Sequence, residues 1–314
     1  MTLLSLAALL PPLILLILIY RMDKVEKEPK GLIIKLVILG AASTILGIIL
    51  EVLSGHLIGA ALTSGTVLYD AVQYFLGVAL MEEFSKYVFL KKSTWKHPAF
   101  DYTFDGVVYA VSVSLGFAAL ENFFYVKELG LKVAGFRVVT SIPGHCIFAI
   151  FMGISYGLAK KAEAQGKMAE KHAHLVAAIL VPTLIHGFYD FVASQGTMFF
   201  VVVFFAFLAI LYVVAFLRLR KSERKDVRIF DDPEVVPEAM SVTDLESPVA
   251  SVAGMEPKSA DVTTLESENL NTTASEIQVI GESEPTTENV DAPEAISVME
   301  EETTPESVAD KTEN

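Results

Sequence analysis

The chain has 314 residues, 53% of them hydrophobic, and a mean hydropathy of +0.50. That composition excludes an ordinary soluble domain, and apolar runs of about 20 residues, the length of a bilayer-spanning helix, recur along it. The formal net charge of −14 is unevenly placed: residues 231–314 carry 22 Asp or Glu against two Lys, which leaves 22 Lys or Arg against 16 Asp or Glu in residues 1–230.

The pattern predicts an all-α fold, a polytopic membrane bundle of seven helices followed by a disordered acidic tail. The expected spans have cores at 3–20, 32–53, 68–91, 105–126, 136–159, 173–193 and 196–218. The first has no basic segment before it, and its positive charges follow it, at Arg21, Lys24, Lys27 and Lys30. That is the mark of an uncleaved span with its N-terminus outside, not of a signal peptide. Basic residues recur after the third span (Lys91, Lys92, Lys96), the fifth (Lys160, Lys161, Lys167, Lys171) and the seventh (Arg218, Arg220, Lys221, Arg224, Lys225, Arg228). The alternate connections are poor in charge: residues 54–67 and 194–195 have no Lys or Arg, and the third has only Lys127 and Lys132. The positive-inside rule then predicts a multi-pass protein of the cell membrane with a cytoplasmic C-terminus.

Two segments follow, a membrane-embedded domain at 1–228 and a tail at 229–314. The tail has no aromatic residue after Phe230 and cannot bury enough apolar surface to offset the entropy of ordering. Its near-repeats, VTDLES at 242 with VTTLES at 262 and PEAMSV at 237 with PEAISV at 293, read as a duplicated tether or as docking sites for a cytoplasmic partner. The single cysteine, Cys146, lies in an apolar run, so neither a disulfide framework nor a CxxC metal site exists. Membrane lipid is an expected partner; nucleic acid is not.

Ionisable side chains inside spans are costly and usually face a bundle interior or a water cavity. The third span contains MEEFSK, in which Lys86 lies one helical turn from both Glu82 and Glu83. One lysine can neutralise one glutamate as a structural ion pair, but not two adjacent carboxylates, so one remains to act as base or ligand. The fourth span contributes Glu121 and Asn122 in FAALEN, the fifth His145 after Pro143 and Gly144, and the sixth His186 and Asp190 at i, i+4 in HGFYD. Each has a bland alternative: a protonated interhelical Glu, a structural histidine, a structural His–Asp pair. Four spans carrying such groups together supply a base, two imidazoles and spare carboxylates, the donor types of a catalytic divalent metal, zinc above all.

EEFSK matches an EExxK pattern, FAALE matches FxxxE, and HGFYD matches HxxxD. In order and spacing these resemble the PrsW family of intramembrane proteases, relatives of the CAAX-prenyl protease and bacteriocin-processing superfamily, over residues 1–220. The resemblance implies a membrane-embedded peptidase whose substrate is a single-pass membrane regulator of the anti-sigma-factor kind, cut near the outer face. It implies Glu82 and Glu83 as the source of the base and His186 as ligand or oxyanion partner. The catalytic set expected is Glu82, Glu83, Lys86, Glu121 and His186; the metal set is His145, His186, Glu121 and Asp190. Lys86 holds the glutamate pair and Asp190 orients His186. A metal-free, glutamate-dependent site stays open. Glu121 stands where the wider superfamily often has a histidine.

Depth is a tension in this reading. At about 1.5 Å of rise per residue, Glu121, His145 and His186 lie roughly 8, 13 and 10 Å from their outer span ends, but Glu82 roughly 20 Å from its own. Tilt, a break at Gly77, or a start nearer Asp70 would raise it. Residues 54–67, uncharged and rich in small residues, read as a lid over the cavity. Two other classes remain: an ion- or proton-coupled transporter, which uses the same residue types, and a non-catalytic membrane scaffold.

Overall fold

A computed structural model describes residues 3–230; the acidic tail, with the disorder, tether and docking readings attached to it, lies outside the described residues. Among the described residues nine α-helices follow in chain order: α1 (Leu3–Met22), α2 (Lys30–Ala61), α3 (Val67–Val72), α4 (Leu80–Thr94), α5 (Asp105–Leu129), α6 (Leu131–Val139), α7 (Ser141–Ala164), α8 (Met168–Ser194) and α9 (Met198–Arg224). A π-helical stretch, Gln73–Ala79, joins α3 to α4 without a break. Helices are the expected solution in lipid, because they satisfy every backbone group internally. Among the described residues five stretches are long and apolar enough to cross a membrane: Lys30–Ala61, Asp105–Leu129, Gly135–Ala164, Met168–Ser194 and Met198–Arg224. The other two expected spans are α1, apolar over Ala8–Met22, and the α3–π–α4 unit, which carries Asp70, Glu82, Glu83 and Lys86.

The second and fifth spans differ from expectation. α2 runs on to Ala61, so most of the expected lid is helix, and only residues 62–66 connect it to α3. The fifth span is broken at Thr140, between α6 and α7. Pro143 explains the break. It has no N–H to offer the carbonyl of Val139, four residues back. The hydroxyl of Tyr212 on α9 donates to that carbonyl instead, and the helix restarts with Gly144 N–H donating to Thr140 O at 2.9 Å. α1 shows the same repair. Pro12 leaves the carbonyl of Ala8 without its helical donor, and Asn122 Nδ2 on α5 donates to it at 3.0 Å. Membrane helices tolerate proline where a neighbour serves the freed carbonyl.

α5 is the hub, with residues 103–118 at its start buried without interruption. Two glycine faces let its neighbours reach backbone contact. A Cβ added at Gly40 or Gly116 would stand 1.9 Å from Val113 O or 2.1 Å from Val37 O across the α2–α5 contact. Across α5–α7, a Cβ at Gly153 would meet Val107 Cα at 2.4 Å, and one at Gly157 would meet Thr103 O at 2.1 Å. In lipid no hydrophobic drive holds helices together, so such close packing carries their association. The atoms in the way at Gly153 are backbone and cannot step aside. Gly153→Ala is therefore expected to destabilise the bundle by about 1–3 kcal/mol, the usual cost of overpacking. Gly59→Ala, with open space around it, is expected to be neutral or slightly stabilising. Thermal unfolding of both variants in detergent checks this.

Just before the start of α5, residues 226–229 dock on residues 101–104: Thr103 N–H donates to Val227 O at 3.1 Å and Ile229 N–H to Asp101 O at 2.6 Å. The boundary expected at residue 228 falls inside this docked segment.

Candidate functional site in the membrane

Glu82, Glu83, Lys86, His145 and His186, expected on three separate spans, meet in one buried centre, none more than 5% exposed. Lys86 is the hub. Its ammonium donates to Glu82 Oε2 at 2.9 Å and Glu83 Oε1 at 2.8 Å, and lies 3.2 Å from His145 Nδ1. The first two contacts follow from the i+4 and i+3 spacing. Its charge also sits 4.0 Å from the centre of the Phe117 ring, against the electron-rich face.

The π-helical stretch aims the glutamates. It inserts an extra residue per turn just before them and so resets the face on which they emerge. Phe75 within it packs against Gly187, where an added Cβ would meet the ring at 2.7 Å, so α8 approaches the π-helix with His186 beside the contact. Ser54 on α2 donates to Gly77 O at 2.9 Å and pins the same stretch.

His145 lies in the second turn of α7, just past the Thr140 break. A lysine ammonium has no acceptor, so Nδ1 receives from Lys86 and Nε2–H donates to Glu121 Oε2 at 2.8 Å. Glu121 is held in turn by Arg137 Nη2 at 2.8 Å, and Arg137 Nε donates to Asn122 Oδ1 at 3.0 Å. The Arg137 guanidinium also stacks 4.1 Å over the Tyr125 ring. Asn122 thus ties this chain to the carbonyl freed by Pro12.

His186 lies on the opposite side, with its ring stacked on Phe148 at 4.6 Å and 5.5 Å from the His145 ring. Its Nδ1 is 3.2 Å from Glu83 Oε1. Its Nε2 is 3.2 Å from Asp190 Oδ2, at an angle that leaves this buried oxygen without a hydrogen bond. Glu83 Oε2 is likewise buried and unpartnered. Orphaned buried carboxylate oxygens are costly, and in a functional centre they mark a place for a proton, a water or a cation.

The residues present fit a metal. Glu82, His145 and His186 each bring one ligand atom within 4.8 Å of the others, a carboxylate and two imidazoles, and a metal there would take the His145 Nδ1 lone pair that Lys86 holds in this structure. These three form a donor set suited to zinc. Glu121 and Asp190, expected as ligands, stand behind the two histidines, where outer-shell carboxylates set the imidazole orientation.

Two members of this centre escaped the sequence reading. Glu51 on α2 lies among Glu82, Glu121 and Lys86, near enough for their charges to act on it. It is the sole charged residue between Lys35 and Asp70, which was the available signal. The expected span ended at residue 53, however, and so put Glu51 at the membrane edge. Arg137 was passed over in the same way, as the first turn of a span.

Comparison with known proteins identifies the family. Residues 28–217 match the PrsW family intramembrane metalloprotease. The chain is 35% identical over 223 residues to Protease PrsW of Oceanobacillus iheyensis, an alignment that covers 70% of this chain and 96% of that protein. It is 33% identical over 184 residues to Protease PrsW of Geobacillus kaustophilus, covering 59% and 76% of the two chains. With Protease PrsW of Bacillus subtilis it shares 30% over 205 residues, covering 64% and 88%. No solved structure matches. This multi-pass chain belongs to the PrsW family of intramembrane metalloproteases.

Proposed function

We propose that the chain hydrolyses a peptide bond of a single-pass membrane protein at this centre, with Glu83 as the general base. The observation that carries the reading is the geometry of Glu83. One oxygen is fixed by Lys86 and His186, while the other is buried and free. A carboxylate held in this way can take a proton from a water at its unpartnered oxygen. Glu82, His145 and His186 would hold the divalent metal, zinc by its donor types, and when bound it would lower the pKa of a water toward neutrality.

In the reaction the water oxygen attacks the carbonyl carbon as its proton passes to Glu83 Oε2. The carbon–nitrogen bond then breaks, and the same proton goes to the leaving amine. Lys86 keeps Glu83 in place and balances the negative charge as it changes. The Arg137–Glu121 pair fixes the tautomer and plane of His145, and Asp190 sets the plane of His186. An anti-sigma-factor-like regulator as substrate, cut near the outer face, rests on the motif resemblance. The positive-inside pattern supports an outer-facing site in the cell membrane, with the acidic tail in the cytoplasm.

The test is reconstitution of the full chain with a panel of single-pass membrane peptides, with and without a chelator. The parent is expected to cleave, His186→Ala to lose cleavage with folding intact, and the chelator to abolish activity that zinc restores. Cleavage that survives His186→Ala would overturn the assigned site. Cleavage that survives the chelator, with no metal left on the protein, would overturn the metal and leave a glutamate-dependent hydrolysis.

A further inference from the structure

Asp105 opens α5 sixteen residues before Glu121, about 24 Å away along the helix. It belongs to a second buried acidic cluster that the proteolytic centre does not use. Asp23, Glu28 and Asp105 each place a carboxylate oxygen within 4.8 Å of the others, and all three are at most 3% exposed. Asp23 and Glu28 lie on the non-helical link between α1 and α2.

The hydrogen bonds of the cluster leave a gap. Asp105 Oδ2 accepts from the backbone N–H groups of Asp101 and Tyr102 at 3.1 and 2.7 Å. Glu28 Oε2 accepts from the Tyr109 hydroxyl. Asp23 Oδ2 is fully buried and has no partner. Lys27 does not fill the gap: its ammonium donates to the carbonyl oxygens of Tyr20, Arg21 and Asp23, where it caps α1. Asp226 stands at the margin, accepting from Phe104 N–H and the Thr103 hydroxyl, and adds further negative potential. One proton shared by Glu28 and Asp105 would serve those two and leave Asp23 Oδ2 unsatisfied. A cation serves all three.

We propose that Asp23, Glu28 and Asp105 bind a hard divalent cation, Ca²⁺ or Mg²⁺, that ties the α1–α2 link to the start of α5. All the donors are oxygens, the preference of these ions, and no histidine or cysteine is present to favour zinc. The site is separate from the proteolytic one and does not rest on it.

The probe is Tb³⁺, added to the purified full-length protein in detergent with excitation of tyrosine. Tyr109, bonded to Glu28, is placed to sensitise an ion there. The acidic tail has no tyrosine or tryptophan to do so. Saturable luminescence is expected, displaced by Ca²⁺ or Mg²⁺, weakened at least about tenfold in Asp23→Asn and in Glu28→Gln, and unaltered in Glu82→Gln. Absence of displaceable luminescence would overturn the site and mark a proton-filled cluster, as would equal affinity in the parent and in both cluster variants. Loss in Glu82→Gln alone would overturn it by moving the ion to the other centre. Should Asp23→Asn fail to fold, Glu28→Gln decides.

Discussion

Glu83→Gln is expected to lower cleavage by about 10²- to 10⁴-fold, the usual contribution of a general base, with the protein still folded and its metal still bound. The amide keeps the volume and can still meet His186, and Lys86 retains Glu82 as a charged partner at 2.9 Å. The lost feature is the basic oxygen at Oε2. Glu82→Gln is expected to behave differently, because Glu82 and not Glu83 groups with the two histidines as a ligand. Cleavage and metal content are then expected to fall together. Metal analysis of the two purified variants beside a cleavage assay separates the roles. A Glu83→Gln enzyme within about fivefold of the parent would refute Glu83 as the base, since that is about 1 kcal/mol of barrier and far below the expected contribution.

The parts of this centre legible in the sequence are those set by helical spacing within one segment. Lys86 reaches Glu82 and Glu83 because i+3 and i+4 share a face, and Asp190 lies near His186 for the same reason. The parts that escaped depend on where helices begin, end or change winding. Glu51 is central because α2 continues eight residues past its expected end, through SGHLIGAA, a stretch whose small uncharged residues read equally well as loop. Arg137 reaches Glu121 because the chain breaks at Thr140. Pro143 signalled a weak helix, but not that Tyr212 would take over the carbonyl it freed. The face on which the glutamates emerge was not legible, because the π-helical stretch has no compositional signature. Glu82 lies fifteen residues into its segment, about 22 Å, and Glu51 ten residues from the end of α2, about 15 Å. α2 extends eight residues beyond its expected end, whereas the segment of Glu82 begins at Val67, one residue before its expected core, so its length does not relieve the depth tension. The Asp23–Glu28–Asp105 cluster escaped because its members come from a link and a helix start, and only the fold brings them together.

Lys86→Met is expected to be the most damaging single change to stability. Lys86 is 1% exposed and is the shared partner of two carboxylates that are themselves buried. Removing one member of a buried ion pair costs about 3–5 kcal/mol, because the remaining charge keeps its desolvation penalty and loses its compensation. Here two carboxylates lose it together, and they repel each other. The same physics predicts the remedy. Adding Glu82→Gln to Lys86→Met removes one of the stranded charges, so the double variant is expected to be more stable than Lys86→Met alone. The coupling falls in the range of about 0.5–3 kcal/mol found for groups in one network. Unfolding of the parent, both single variants and the double variant in mixed micelles measures this cycle directly. Additive effects would mean that Lys86 is held by packing against Phe117 and not by its carboxylates. A strong positive coupling would establish the lysine as the counter-charge that lets a protease keep a free carboxylate inside a membrane.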